Sequence, residues 1–197
     1  MSIAIRTERL LLRPWRRDDL APLSAILADP LVARYLIGHP FSADEARAAF
    51  ERRFEHWERH GFGFWAVETL EESRLLGWAG LQCASAFLGY ESDVEVGWTL
   101  ARDVWGRGYA TEAGEASLVF GFQQLVLPRI VAMRDPENRR SEAVMQRLGM
   151  REAGSTTTSH GDPVCVRILL REEWVAHEGA VGRVDVGHER KKAQVLR

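Results

Sequence analysis

The run DVEVGWTLARDVWGRGYATEAGEAS, residues 93–117, permits few folds. It opens with Val94, Val96, Trp98 and Leu100 in alternation, the period-two pattern of a half-buried strand. A short polar turn leads to Gly106, Gly108 and Ala110, and Thr111-Glu112-Ala113 then begins a helix. The first N–H groups of a helix lack internal partners, and the helix dipole leaves about half a positive charge beside them. Glycines let an anion approach that end without a Cβ in the way, and they accept positive φ. Strand, glycine turn and helix start together read as a pyrophosphate cradle around which the other elements must be placed.

A chain of 197 residues has the length of one domain with a sizeable core. Its net charge of −2 gives no reason to expect nucleic acid or an anionic membrane as partner. Cys83 and Cys165 lie far apart, match no metal spacing and suit a reducing setting, each as a small buried hydrophobe. No apolar run reaches the length of a membrane span, and Arg6, Glu8 and Arg9 interrupt the N-terminus. The expectation is a cytoplasmic protein without a signal peptide.

Upstream, Arg9-Leu10-Leu11-Leu12-Arg13 is an apolar run stopped by Pro14 and predicts a first strand. Asp18 stands where it would cap a helix carrying Leu20, Leu23, Ile26 and Leu27 at helical spacing. Asp29-Pro30 breaks that pattern, and residues 31–37 predict a second short helix. Ser42 and Glu45 have the spacing of a capping box, ahead of a long amphipathic helix with Ala46, Phe50, Phe54 and Trp57 on one stripe. Gly61 and Gly63 end it. Residues 62–68 and 75–83 then read as antiparallel strands.

Beyond the glycine turn, the predicted helix runs over about residues 109–125, and Arg129-Ile130-Val131-Ala132-Met133 is a buried strand by its β-branched content. Asn138 caps a further helix that Gly149 closes. Residues 150–158 and 164–170 form a closing hairpin across Gly161-Asp162. From Gly179 the pattern dissolves, so the domain is drawn over residues 1–178, with a flexible basic tail over 179–197. The order β-α-α-α-β-β-β-α-β-α-β-β makes this an α+β, or mixed α/β, domain.

At Trp105-Gly106-Arg107-Gly108-Tyr109-Ala110-Thr111-Glu112-Ala113 the chain resembles the GNAT superfamily of N-acetyltransferases. More narrowly it resembles the RimJ/RimL-type branch, which includes N-terminal acetylases of ribosomal proteins. The superfamily's loop is usually written Gln/Arg-x-x-Gly-x-Gly/Ala. Here Trp105 stands first, with Gly108 and Ala110 at the small positions, a departure typical of that branch. Thr7-Glu8-Arg9-Leu10-Leu11-Leu12-Arg13-Pro14 looks like the branch's first strand, and Val94-Glu95-Val96-Gly97-Trp98-Thr99-Leu100 like its fourth. Asn138-x-x-Ser141, followed by Met145-x-x-Leu148-Gly149-Met150, resembles its second cofactor segment. The likeness implies one GNAT-like domain: a mostly antiparallel twisted sheet of about seven strands, flanked by helices and splayed at the cofactor site.

What the resemblance implies chemically is transfer of an acetyl group from acetyl-CoA to a primary amine, by direct attack in a ternary complex. The pyrophosphate would take the N–H groups of Gly106, Arg107, Gly108, Tyr109, Ala110 and Thr111, in the loop that Trp105 opens. Pantetheine would lie along Trp98, Thr99 and Leu100 as an added strand. The Arg107 side chain meets a phosphate or faces water, Tyr109 packs, and Glu112 should point away from phosphate. Asn138 is a helix cap and, by resemblance, a cofactor contact. Ser141 stands where many members present a hydroxyl to the sulfur, and would hydrogen-bond the departing thiolate.

Glu95 has two readings, a solvated glutamate on a half-exposed strand and the base that takes the amine's proton, directly or through water. Trp57, Trp65 and Trp78 read as structural. His56 and His60 have i, i+4 spacing, but Arg59 beside them argues for an exposed helix face, so no metal is expected. The acceptor is an amine left open among a protein N-terminus, a small amine or amino acid, and an aminoglycoside-type antibiotic. A homodimer is an assembly the resemblance allows. The reading from another class is a catalytically weak CoA-binding regulator or scaffold. A nucleotide-binding protein using the same loop lacks its P-loop lysine.

Overall fold

The apolar runs that read as strands all join one sheet. A computed structural model describes residues 2–175 and 185–189. Its strands are β1 (Ser2–Arg6), β2 (Leu10–Arg13), β3 (Phe64–Thr69), β4 (Leu75–Cys83), β5 (Val94–Leu100), β6 (Arg129–Arg134), β7 (Arg151–Thr157), β8 (Pro163–Leu170) and β9 (Asp185–Glu189). They lie in the order β7-β8-β6-β5-β4-β3-β2-β1-β9, antiparallel throughout except where β5 meets β6. The sheet is the expected mostly antiparallel one, with nine strands among the described residues rather than about seven. Both additional strands are at one edge, where β1 pairs β2 on one side and β9 on the other. Within the stretch expected to be a tail, Asp185–Glu189 is thus a strand; the rest of 179–197 lies outside the described residues. A main-chain ladder on an open edge needs no apolar stripe, which is why the pattern there is weak.

Helices cover both faces: α1 (Leu20–Leu27), α2 (Pro30–Ala33) and α3 (Ala43–His60) before the sheet's centre, α4 (Tyr109–Val119) and α5 (Arg139–Arg147) after it, and α6 (Arg171–Val175) behind β8. One core joins Val96, Leu100, Leu76 and Leu81 of the sheet to Ala113, Ala116 and Phe120. A second joins Ala66, Leu75 and Trp78 to Leu23, Leu27, Ala46 and Phe50 on the opposite face. On β5, alternation therefore sends Val96 toward α4 and Glu95, Gly97 and Thr99 toward α3.

Asp19 rather than Asp18 anchors the start of the first helical segment, by reaching back to the backbone of Arg16. Asp18 is exposed, whereas the Asp19 carboxylate accepts the Arg16 N–H at 2.7 Å and both terminal nitrogens of Arg13 at 2.7 and 2.8 Å. Arg13 Nε reaches Glu68 at 2.7 Å, so a buried ionic cluster pins β2, β3 and the helix entry together. Arg13 lowers the Asp19 pKa against the opposing effect of burial, which is the largest influence on it. The second short helix ends at Ala33, well before residue 37, because Leu36 and Ile37 are exposed and give a further turn nothing to pack against. Residues 120–124 continue α4 as a π-turn, where Phe120 meets Trp65 and Phe122 meets Trp174, both rings fully inside.

Candidate active site

Main-chain pairing opens the site. β5 is bonded to β4 from Val94 to Leu100, yet it registers with β6 only at Glu95 opposite Val131. Beyond that point the two strands part and leave a cleft of about 1250 Å³. Residues 96–100 and the start of α4 form one wall; Met133, Arg134, Asn138 and Ser141 form the other. Most small-ligand pockets hold about 300–1,000 Å³, so this one has room for a large cofactor and a second molecule.

The glycine loop leads into α4 as the sequence suggests. Gly106 and Gly108 have φ of 77° and 83°, and Gly108 is the N-cap of α4 with no side-chain cap bond. Glu112 turns its carboxylate to the turn between β1 and β2, accepting from Thr7 Oγ1 at 2.6 Å, Arg9 N at 2.9 Å and Arg9 Nε at 2.7 Å. Arg9 also donates to the Arg107 carbonyl at 2.9 Å and covers the Tyr109 ring at 4.6 Å, so Tyr109 packs. The acid is withdrawn, and the positive helix end faces the cleft without a side-chain cap. Trp105 braces the loop against β5, because its indole N–H donates to the Leu100 carbonyl at 2.8 Å and Arg140 stacks over it at 4.8 Å. The Leu100 side chain is in the core, and the Arg107 residue is exposed.

Glu95 is only 7% exposed, which corrects the picture of a solvated glutamate on a half-open strand. The α3 side of the sheet is covered, so the carboxyl lies on an enclosed floor. Burial pushes its pKa up to about 7, and a hydrogen bond from Gln82 Nε2 pulls the other way. Gln82 stands directly opposite Glu95 across the β4–β5 pair, and Gly97 stands opposite Gly80. A Cβ on Gly97 would come within 3.0 Å of the Phe64 ring, so glycine there lets the aromatic approach the strand closely. Gln82, Phe64 and Trp78 were not singled out as site residues from the sequence, although all three line this floor. Pairing the two predicted strands across the loop of residues 84–93 is a signal that could have found Gln82.

Asn138 and Ser141 come together at the start of α5. Asn138 Oδ1 accepts the Ser141 N–H at 3.1 Å, the cap that the spacing predicts, and both residues line the cleft. The Ser141 hydroxyl has no hydrogen-bond partner among the described residues. Behind them Glu142 is held by Arg134 and Arg167, first by the Arg167 hydrogen bond, which brings its pKa down to about 2 and fixes the helix to β6 and β8.

His56 is not on an exposed face. Its Nε2 accepts the Cys83 N–H at 3.1 Å, so Nδ1 carries the proton and donates to the Phe62 carbonyl at 2.8 Å. Burial lowers its pKa. His56, His60 and Cys83 place ligand atoms within 4.8 Å of one another, but both nitrogens of His56 are already committed to main chain. Cys83 and Cys165 are free and half-buried rather than fully enclosed.

No helix among the described residues is long and apolar enough to cross a membrane. The model of the acetyltransferase (GNAT) domain matches residues 9–151. The uncharacterized N-acetyltransferase YnaD of Bacillus subtilis (strain 168) is 31% identical over 153 residues, covering 76% of this chain and 84% of that protein. The acetyltransferase crystal structure from Agrobacterium tumefaciens str. C58 superposes with a TM-score of 0.73 at 29% identity, over 84% of this chain and 93% of that one. The ribosomal-protein-S5-alanine acetyltransferase of Vibrio fischeri shares the fold alone, with a TM-score of 0.68 at 16% identity over 87% and 98% of the two chains. Members of this family use acetyl-CoA and an amine acceptor. The chain, with its splayed sheet and uncapped glycine loop, belongs to the GNAT acetyltransferase family and is an acyltransferase.

Proposed function

We propose that the protein transfers the acetyl group of acetyl-CoA to a primary amine by direct attack in a ternary complex, with Glu95 as base. The observation that carries this reading is the buried Glu95 carboxyl, brought near neutrality where β5 and β6 part. A base with a pKa near the working pH combines a useful ionised fraction with enough proton affinity. Glu95 takes the amine's proton, directly or through water, as the N–C bond forms and the C–S bond breaks. The Ser141 hydroxyl donates a hydrogen bond to the departing sulfur, and the proton held by Glu95 returns to the thiolate through solvent.

The residues present fit the coenzyme. N–H groups from Gly106 through Thr111 bind its diphosphate, and the β5 edge at Trp98, Thr99 and Leu100, left without β6, takes the pantetheine arm. Asn138 adds a contact from the facing wall. The motif at Trp105 and the first-strand run from Thr7 support the RimJ/RimL-type branch, with a protein N-terminus or a small-molecule amine as acceptor. The cytoplasm suits two free cysteines.

The decisive experiment is kcat/KM against pH, for wild type and Glu95→Gln, with a panel of amines and thiol release as readout. Wild type should rise with pH through an apparent pKa near 7, and the variant should be slow and flat across that range. An unchanged profile removes Glu95 from the role. Tight CoA binding without turnover on any amine would favour the regulatory domain instead.

A further inference from the structure

Arg53 is the unexplained charge of the cleft. It lies on α3 with its guanidinium 4.0 Å from the Trp78 ring centroid and 5.4 Å from that of Trp15. Nη1 donates to the Ala49 carbonyl of its own helix. Nε is buried with no partner, and Nη2 has none among the described residues. Other arginines drawn into the protein meet carboxylates: Arg13 has Asp19 and Glu68, while Arg134 and Arg167 share Glu142. Arg53 meets none among the described residues, and the charged neighbour acting on it is the like-charged Arg52. Burial, then Arg52, brings its pKa down to about 9. Arg53 as a whole is half-buried, and a partly desolvated cation without an anion is costly; stacking on tryptophan recovers only part of that cost.

Its place in the cleft says what would relieve it. Arg53 lines the same cavity as Trp78, Gln82 and Glu95. Trp78 pairs with Thr99 and Gln82 with Glu95, so Arg53 and the Glu95 carboxyl stand over the same face, four residues apart along β4. That is about 13 Å along β4 between the Cα positions of Trp78 and Gln82, the length of a small molecule. The positive charge also opposes any acceptor that is only cationic. A carboxylate on the acceptor turns that repulsion into a charge-assisted pair.

We infer that the amine acceptor carries a carboxylate, which pairs with Arg53 while the amine several bonds away faces Glu95. The inference rests on the acetyl-transfer reading above and adds the substrate class to it.

The experiment compares 4-aminobutyrate and 6-aminohexanoate with their neutral amides, as acceptors for wild type, Arg53→Met and Arg53→Lys. A second arm titrates hexanoate, which has no amine, into CoA-saturated protein by calorimetry. Wild type should prefer the acids by about tenfold or more in kcat/KM, a difference expected of one partly buried charge pair. The ratio should fall to near one in Arg53→Met and recover in part in Arg53→Lys, which keeps the charge but not the fork. Hexanoate should bind wild type and lose at least tenfold in affinity in Arg53→Met, with an unchanged acetyl-CoA dissociation constant showing that the variant is folded. Equal use of acids and amides by wild type, or a preference that survives in Arg53→Met, overturns the inference while leaving acetyl transfer intact. Hexanoate binding at Arg53 with no amine acetylated supports the anion site and counts against acetyl transfer.

Discussion

The two ends of the cleft are made of different material. Toward α4, the surface is main chain: the free edge of β5, two glycines at positive φ, and a helix start with no side-chain cap. Toward α3, it is side chain: Glu95 bonded to Gln82, Phe64 laid on Gly97, and Arg53 over Trp78. The start of α3 itself sharpens the contrast. There Ser42 and Glu45 cap each other's backbone groups, with Glu45 Oε2 accepting the Ser42 N–H at 2.8 Å. α3 closes its N-terminus with its own residues, whereas α4 has no side-chain cap, and on the proposed reading that place is left to the coenzyme. Main chain offers the same groups whatever the neighbouring residues, so it suits a constant coenzyme; side chains vary and suit the molecule that differs between relatives.

The largest effect should come from the side-chain end. Glu95→Gln should lower kcat/KM at pH 8 by about 10²–10⁴-fold, the range for loss of a general base. At the main-chain end, Gly108→Val puts a Cβ 3.3 Å from Arg9 Nη2 and forces a branched residue into positive φ. Strain of about 1–3 kcal/mol, released only by moving the loop, should weaken acetyl-CoA binding by roughly 10–100-fold in calorimetry. If Gly108→Val binds acetyl-CoA as wild type does, the main-chain end is not the cradle.

Stability gives a third contrast. The folded Glu95 pKa lies above its ordinary value, so the native state binds more protons than the unfolded chain between about pH 4.5 and 7. Ionised Glu95 therefore costs stability, and the cost grows as pH rises through that window. Glu95→Gln should be more stable than wild type by on the order of 1–3 kcal/mol at pH 8.5 and about equal at pH 4, read from urea melts. Ser141→Ala should lower kcat by about tenfold, the value of one hydrogen bond to a charged sulfur, and wild-type turnover would remove that contact. Smallest of all, Ser42→Ala should cost about 1 kcal/mol of stability and leave acetyl-CoA affinity untouched.

Legibility follows the same division. Gly106, Gly108, Ala110, Asn138 and Ser141 could be found in the chain because a strand, a glycine turn and a cap are local arrangements with local spacing. Arg53 comes to lie over Trp78, on the face that carries Gln82 and Glu95, only after α3 has docked on the sheet, and no spacing in the sequence announces that. The choice between the two readings of Glu95 stays open in the sequence for the same reason, since alternation on β5 shows two faces but not how deeply the polar one is buried. The shift from Asp18 to Asp19 turns on Arg13, a partner on a strand rather than in the helix. The edge strand β9 is held by main-chain pairing with β1, which leaves little apolar pattern to read.

The most direct measurement is a crystal structure of the protein with CoA. Diphosphate oxygens should lie within about 3.2 Å of main-chain nitrogens between residues 106 and 111, at the uncapped start of α4. A diphosphate bound anywhere else, or held by side chains alone with those nitrogens facing water, would contradict the reading on which the roles of Glu95 and Ser141 depend.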